Sequence, residues 1–351
     1  MTPSKDELVF GRVELEAAVA KGVLDRNAAD SLTEFLIQNR TEAAGDPDEE
    51  RLRLITGFND IFVTIGIALF LGALGYLLST YGGLVSSSGE AIAAWGLAEV
   101  FTKRKRMALP SIVLLVWFVT SSAEVGHSLF APASNLFSFF NYDSLPGLAY
   151  GLAAVAASVV HWLRFHVPIT IAAFAAGLAV TAVAMIEKFN SGFVFEQPSL
   201  VFIPIGLAIF ATAMKFDMSD RNRVTQRTDI AFWLHLLAAP LIVHSIVYPL
   251  LNENALNTGA AIAILSLFAG LSIVALAIDR RALLVSSLLY LGYASSQILT
   301  WSGVAFENLG FSVLIVGGTV LVLSVAWQPL RRLVLSILPQ NLRNLVPPAA
   351  A

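Results

Sequence analysis

Between residues 60 and 328 the chain alternates long apolar runs with short polar breaks. A helix that crosses a bilayer needs about 20 mostly apolar residues. Ten runs fit, at about 60–80, 86–102, 108–128, 146–163, 167–187, 199–215, 229–250, 257–278, 282–303 and 309–328. The second is the weakest, because it contains Glu90 and Glu99, and the fourth and sixth are short. The first 40 residues carry a different pattern. From Asp6 to Lys21 the apolar positions Leu8, Val9, Val13, Leu15 and Val19 give one amphipathic helix. Gly22 then supplies a stop, since glycine accepts the left-handed conformation after a helix end. Asp25 can cap a second helix, in which Ala29, Leu32, Phe35 and Leu36 recur at helical spacing. Residues 41–50, TEAAGDPDEE, carry five acids, a glycine and a proline and read as a linker. The pattern predicts an all-α fold: a polytopic transmembrane bundle of about 10 spans with a small N-terminal helical hairpin. Its parts are a hairpin at 1–40, an acidic linker and approach to the membrane at 41–59, a transmembrane domain at 60–328 and a tail at 329–351.

Composition agrees. The chain is 56% hydrophobic and 13% charged, with no cysteine and a mean hydropathy of +0.73. Residues 1–59 hold 19 of the 47 Lys, Arg, Asp and Glu side chains. The remainder of the chain is too poor in charge to cover the surface of a soluble globule. An ordinary cytosolic enzyme, a disordered chain and a disulfide-stapled secreted domain are thereby excluded. Residues 1–16 lack the basic start and apolar run of a secretory signal, so the N-terminus is expected to be retained.

Charge also orients the spans, because cytoplasmic loops are enriched in Lys and Arg. With ten spans and the N-terminus inside, 21 of the 22 basic residues fall on the cytoplasmic side and only Lys188 falls outside. Dropping any one span inverts every later loop. Dropping the second would turn Lys103, Arg104, Lys105 and Arg106 outward. Both termini are therefore expected in the cytoplasm. Trp162, Trp233, Trp301 and Trp327 lie near span ends, where aromatic belts sit. Trp95 and Trp117 lie mid-span and are expected to pack against other helices. Small residues are frequent: Gly72 and Gly75 in the first span, AAFAAGLAVTAVA in the fifth, Gly317 and Gly318 in the tenth. These faces are expected to pack the bundle. No phosphate-binding glycine loop occurs.

The stretch LEAAVAKGVLDRNAADSLTEFL at 15–36, a linker, and the glycine-rich FVTIGIALFLGALGYLL at 62–78 come one after another. This order resembles bacterial families of uncharacterised multi-pass membrane proteins that carry a short helical N-terminal domain of unknown function. The likeness covers roughly the first 130 residues. It implies an inner-membrane location, with no assigned activity and no catalytic residue to carry over.

Ionisable groups within spans are the candidates for chemistry, since each is costly unless paired or hydrated. Glu99 stands four residues before Lys103 and is expected to pair with it at the interface. Glu90 lies near the outer end of the same span. Glu124 and His127 sit three apart in the third span, on one helix face with Thr120, Ser121 and Ser128. Glu124 is about 22 Å from the inner end at 1.5 Å per residue. A Glu-x-x-His pair resembles half of a di-iron motif, but the second pair is missing, so no metal is expected. His235 and His244 lie on opposite faces of the seventh span. His235 is expected near the interface and wet. In the ninth span Ser286, Tyr290, Tyr293, Gln297 and Thr300 form one polar stripe. Glu124, His244 and Gln297 fall at nearly equal depth. Together with His127, Tyr290 and Tyr293 they would line a polar chamber in the outer half of the bundle, if those faces converge.

Two functional readings lead. One is a non-catalytic scaffold or regulator, with residues 1–40 available to a protein partner. The alternative is a transporter or channel-like protein for a small polar solute or protons. A membrane enzyme is disfavoured, because the outer-loop acids Asp143, Glu187, Glu196, Glu253 and Glu307 show no motif spacing. No cofactor and no catalytic residue are expected. The net charge of −3 gives no reason to expect nucleic acid, and the lipid bilayer is the expected partner.

Overall fold

In a computed structural model the described residues are 19–32, 58–131, 144–221, 223, 225–252, 258–301, 308–343 and 345–347. They are helical, with no strand among them. The chain divides into two units, residues 1–51 and 52–349.

In the first unit Gly22 takes the left-handed conformation expected of a helix stop, with φ +69°. Its N–H donates to the Val19 carbonyl at 3.0 Å. A helix then runs over residues 26–32. Its Ala29 N–H donates to the Asp25 carbonyl at 2.9 Å. The remainder of the expected hairpin lies outside the described residues.

The second unit holds ten helices of sixteen residues or more among the described residues. They are α1 Phe58–Ser79, α2 Gly83–Ala98, α3 Ala108–Ser128, α4 Ser144–Phe165 and α5 Ile169–Phe189. The second half has α6 Pro198–Ser219, α7 Gln226–Asn252, α8 Thr258–Ile278, α9 Leu284–Trp301 and α10 Asn308–Ile337. Eight of them are long and apolar enough to cross a membrane. The other two are α2 and α9. The α-helical part of α2 has only 16 residues, but a six-residue π-helical turn, Glu99–Arg104, continues it. α9 has 18 residues.

Sequence neighbours pack as antiparallel pairs, and α7 joins the two halves by packing on α5 as well as on α6, α8 and α9. Half of its span is buried. Near its start Ile230, Leu234 and Ala238 pack with Ala172 of α5 and with Ile209 and Ala213 of α6. Beyond Pro240, Val243 and Val247 turn to Ala260 and Ile264 of α8 and Ala294 of α9. Small residues bring α4 and α5 together. A Cβ on Gly151 would stand 2.7 Å from the Thr181 backbone nitrogen, and one on Gly177 would stand 3.0 Å from that of Val155. No larger residue permits that approach.

Gly317 and Gly318 depart from the expectation, since a Cβ on either meets nothing within 4 Å. The reason is position. α10 packs mainly against α8 and α9 at one edge, and its Val313, Leu314, Leu321 and Val325 are exposed, an apolar face suited to lipid. α10 also runs nine residues past the expected end at 328. Pro329 does not stop it, because Leu330, Val334 and Leu335 still pack in one core. Val346 from the tail joins the same core. Trp327 is therefore buried within the packed end of the bundle, and not in an interfacial belt.

Candidate functional site

The ends of α6, α8 and α10 and the starts of α7 and α9 meet at the end of the bundle that carries the basic loops. Asp217 of α6 is its centre. His235 of α7, about 14 Å along that helix at 1.5 Å per residue, brings its Nε2 to 2.9 Å from Asp217 Oδ2. A carboxylate only accepts, so the Nε2 proton is donated and the tautomer is fixed. Arg280 adds a second donor through Nε to Oδ2 at 3.3 Å and a closer contact from Nη2 to Oδ1. It also reaches the Thr228 carbonyl at 3.2 Å. Asp217, His235 and Arg280 are all buried. His235 was expected to be wet. It is buried because Phe210 meets its ring edge-on, with centroids 5.1 Å apart, and the α6–α7 contact closes over it. Its Nδ1 has no hydrogen-bond partner.

A second carboxylate lies beside the first. α8 ends in a left-handed turn at Asp279, φ +57°, with the Arg280 N–H donating back to the Ala275 carbonyl at 2.8 Å. This helix-ending geometry usually uses glycine. Here the aspartate is held by its side chain: Arg223 donates to Oδ2 and Trp327 Nε1 donates to Oδ1, each at 2.7 Å. Arg331 of α10 stands 3.8 Å from the same carboxylate and donates to the Pro347 carbonyl at 2.7 Å. Arg281 lies over the Trp327 ring, 5.0 Å from its centroid. Asp220 caps the start of α7 by accepting from Thr225 N–H, Thr225 Oγ1 and Thr228 Oγ1 at 2.7–3.0 Å.

The first half is organised differently at this end. Glu99 does not pair with Lys103. The π-helical turn has more residues per turn than an α-helix and rotates Lys103 off the Glu99 face. Glu99 instead accepts two bonds from Arg164 of α4, at 2.6 and 2.8 Å. One turn back on α4, His161 is fully buried among Trp95, Phe118 and Phe165. Its Nδ1 meets Thr170 Oγ1 at 3.2 Å, and its Nε2 has no hydrogen-bond partner.

Towards the opposite end, Glu90 lies between three helices. It accepts from Trp117 Nε1 at 2.7 Å, Ser86 Oγ at 3.2 Å and Ser121 Oγ at 3.4 Å. Gly75 of α1 makes room for it, since a Cβ there would collide with the carboxylate. Trp117 is thus packed between helices as expected, and so is Trp95. Glu124 is half-buried and lies within electrostatic reach of Glu90 and of Tyr150 on α4. His127 is buried on the same helix. His244 hydrogen-bonds to Tyr290 across α7 and α9, with Tyr248 beside it. The expected chamber residues thus fall into two places. His244 and Tyr290 meet, whereas Glu124 and His127 stand on α3, which shares no extensive contact with α7. The side chains of Tyr293 and Gln297 lie outside the described ones.

Asp217, Asp220, Asp279, Arg280 and Arg331 are interacting groups that the apolar pattern and the polar stripes do not single out. A signal existed. Asp217 and Asp279 stand within a residue or two of span ends on the side otherwise filled with Lys and Arg. Among the described residues no three His, Asp or Glu side chains converge where they could hold a metal ion. No known protein family, no curated protein and no solved structure matches the chain.

Proposed function

We propose that the chain is a ten-span integral protein of the bacterial inner membrane, with both termini cytoplasmic, acting as a non-catalytic scaffold or regulator. The observation that carries this reading is the pairing of Asp217 with His235 and Arg280 and of Asp279 with Arg223 and Arg331. Charges bound to one another across three helices and two loops fix those elements in register. Committed in this way, they are poorly suited to carrying an ion. Counting α2 and α9 as spans rests on the basic split along the chain, on the π-helical extension of α2 and on the seat of α9 among α7, α8 and α10. Residues 1–40 are the part offered to a protein partner.

A second reading has its own support. Glu90 and Glu124 are neighbouring carboxylates, and the donors to Glu90 come from Trp and Ser, not from a cation. Such a pair suits a proton path in a transporter or channel-like protein. The two readings separate in vesicles that hold the full chain and a trapped pH-sensitive dye. The scaffold reading expects an imposed pH gradient to decay as slowly as in protein-free vesicles. A protein-dependent flux that is lost in Glu90→Gln and Glu124→Gln, at unchanged thermal stability, would overturn it in favour of transport.

A further inference from the structure

We propose that the α2–α3 turn, Lys103–Arg106, is a docking surface for the headgroups of anionic phospholipids. The proposal rests on membrane embedding alone and holds under either functional reading. Four cations stand in a row here, and all four are exposed. The backbone that presents them is tight. The Lys105 N–H donates to the Val100 carbonyl at 2.9 Å, the Met107 N–H donates to the Phe101 carbonyl at 3.0 Å, and Arg106 is left-handed at φ +53°. The cations are therefore fixed to the helix ends and do not trail on a linker.

Among the described residues none of the four makes an ion pair or a side-chain hydrogen bond. Glu99, within electrostatic reach of Arg104, already accepts both of its bonds from Arg164. At the same end of the second half the arrangement is reversed: Arg223, Arg280 and Arg331 are turned onto Asp217 and Asp279. In the second half three arginines are bound by aspartates, whereas none of these four cations of the first half is.

The surroundings select a lipid over a free anion. Leu163 and Val100, on the helix ends beside the turn, are exposed apolar side chains. Trp162 lies against the His166 ring, with centroids 5.4 Å apart, in the next turn of chain at this level. Cations at a helix end that also exposes apolar side chains match a molecule with a phosphate at one end and acyl chains at the other.

Native mass spectrometry of the full chain in detergent, titrated with phosphatidylglycerol or phosphatidylcholine, tests this. Phosphatidylglycerol adducts should form at least tenfold more tightly than phosphatidylcholine adducts. The triple variant Lys103→Gln, Arg104→Gln, Lys105→Gln should lose most of that preference. A control triple with the same charge loss, Lys215→Gln, Arg227→Gln, Arg332→Gln, should keep it within about twofold, since these side chains are exposed at the same end of the second half. Equal loss in both triples would reduce the effect to bulk charge and overturn the proposal. Displacement of the lipid by millimolar inorganic phosphate would also overturn it, by assigning the turn to a soluble anion. Should the triple fail to fold, Lys103→Gln and Lys105→Gln made singly must each weaken phosphatidylglycerol binding severalfold, and no change in either is equally fatal.

Discussion

At the residue scale the decisive contrast is between two ion pairs of the same chemistry. Glu99–Arg164 is bidentate but exposed, with 31% and 43% of the side chains accessible, and water screens it. Asp217–Arg280 is 3% and 1% accessible. In such a place the desolvation of both ions roughly cancels their attraction, so the pair adds little net stability while intact. Breaking it is another matter, because the surviving charge stays buried. Asp217→Ala is expected to cost about 3–5 kcal/mol, the range for an uncompensated buried charge. The double variant Asp217→Leu, Arg280→Met should recover a good part of that loss. Thermal unfolding in detergent across the double-mutant cycle measures it. Additive losses in the double variant would show that the two side chains stabilise the bundle independently, contrary to the geometry.

At the element scale, what was legible in the sequence and what was not divide along physical lines. The eight helices long and apolar enough to cross a membrane are legible as apolar run length, because a bilayer sets that length. Helix ends were less legible. The tenth apolar run ends at about 328, yet α10 continues to Ile337, because Leu330, Val334 and Leu335 pack in the core and Arg331 finds Asp279 and the Pro347 carbonyl. The π-helical turn after α2 left no local signal, since its spacing of Glu99 and Lys103 is equally good in an α-helix. Small residues show the same limit: sequence shows where backbones could approach, and only packing shows which do. Gly151 and Gly317 look alike along the chain, but the first faces Thr181 and the second faces open space. Gly151→Leu should therefore destabilise by roughly 1–3 kcal/mol or prevent folding, the usual result of overpacking. Gly317→Leu should leave thermal stability unchanged. Size-exclusion chromatography of the second variant adds a check. A shift to smaller species would reveal a helix–helix contact between copies at α10, and the open space would then not be lipid-facing.

At the scale of the membrane unit, the count of basic residues turns on more than loop composition. Arg280 and Arg331 count there as cytoplasmic loop and tail charges, yet both are buried against aspartates. They still mark one end of the bundle, because Asp217, Asp220 and Asp279 gather there with them. The site was thus half legible: its location was encoded in the basic side of the topology, and its pairing was not. Pairing depends on which helix ends meet, and spacing along one chain does not encode that. The orientation itself is a prediction of the basic split, and the cysteine-free chain makes it direct to test. Ser191 and Ser219 are both exposed and lie at opposite ends of α6 and its approach. A cysteine placed at Ser191 should react with a membrane-impermeant maleimide in intact cells, and one at Ser219 should react only after the cells are opened. Reaction at Ser219 alone would reverse the orientation and set the basic end, with its phospholipid-facing turn, on the outer leaflet. Reaction at both in intact cells would mean that Pro198–Ser219 does not cross the membrane, and the alternating order of all later helices would fall with it.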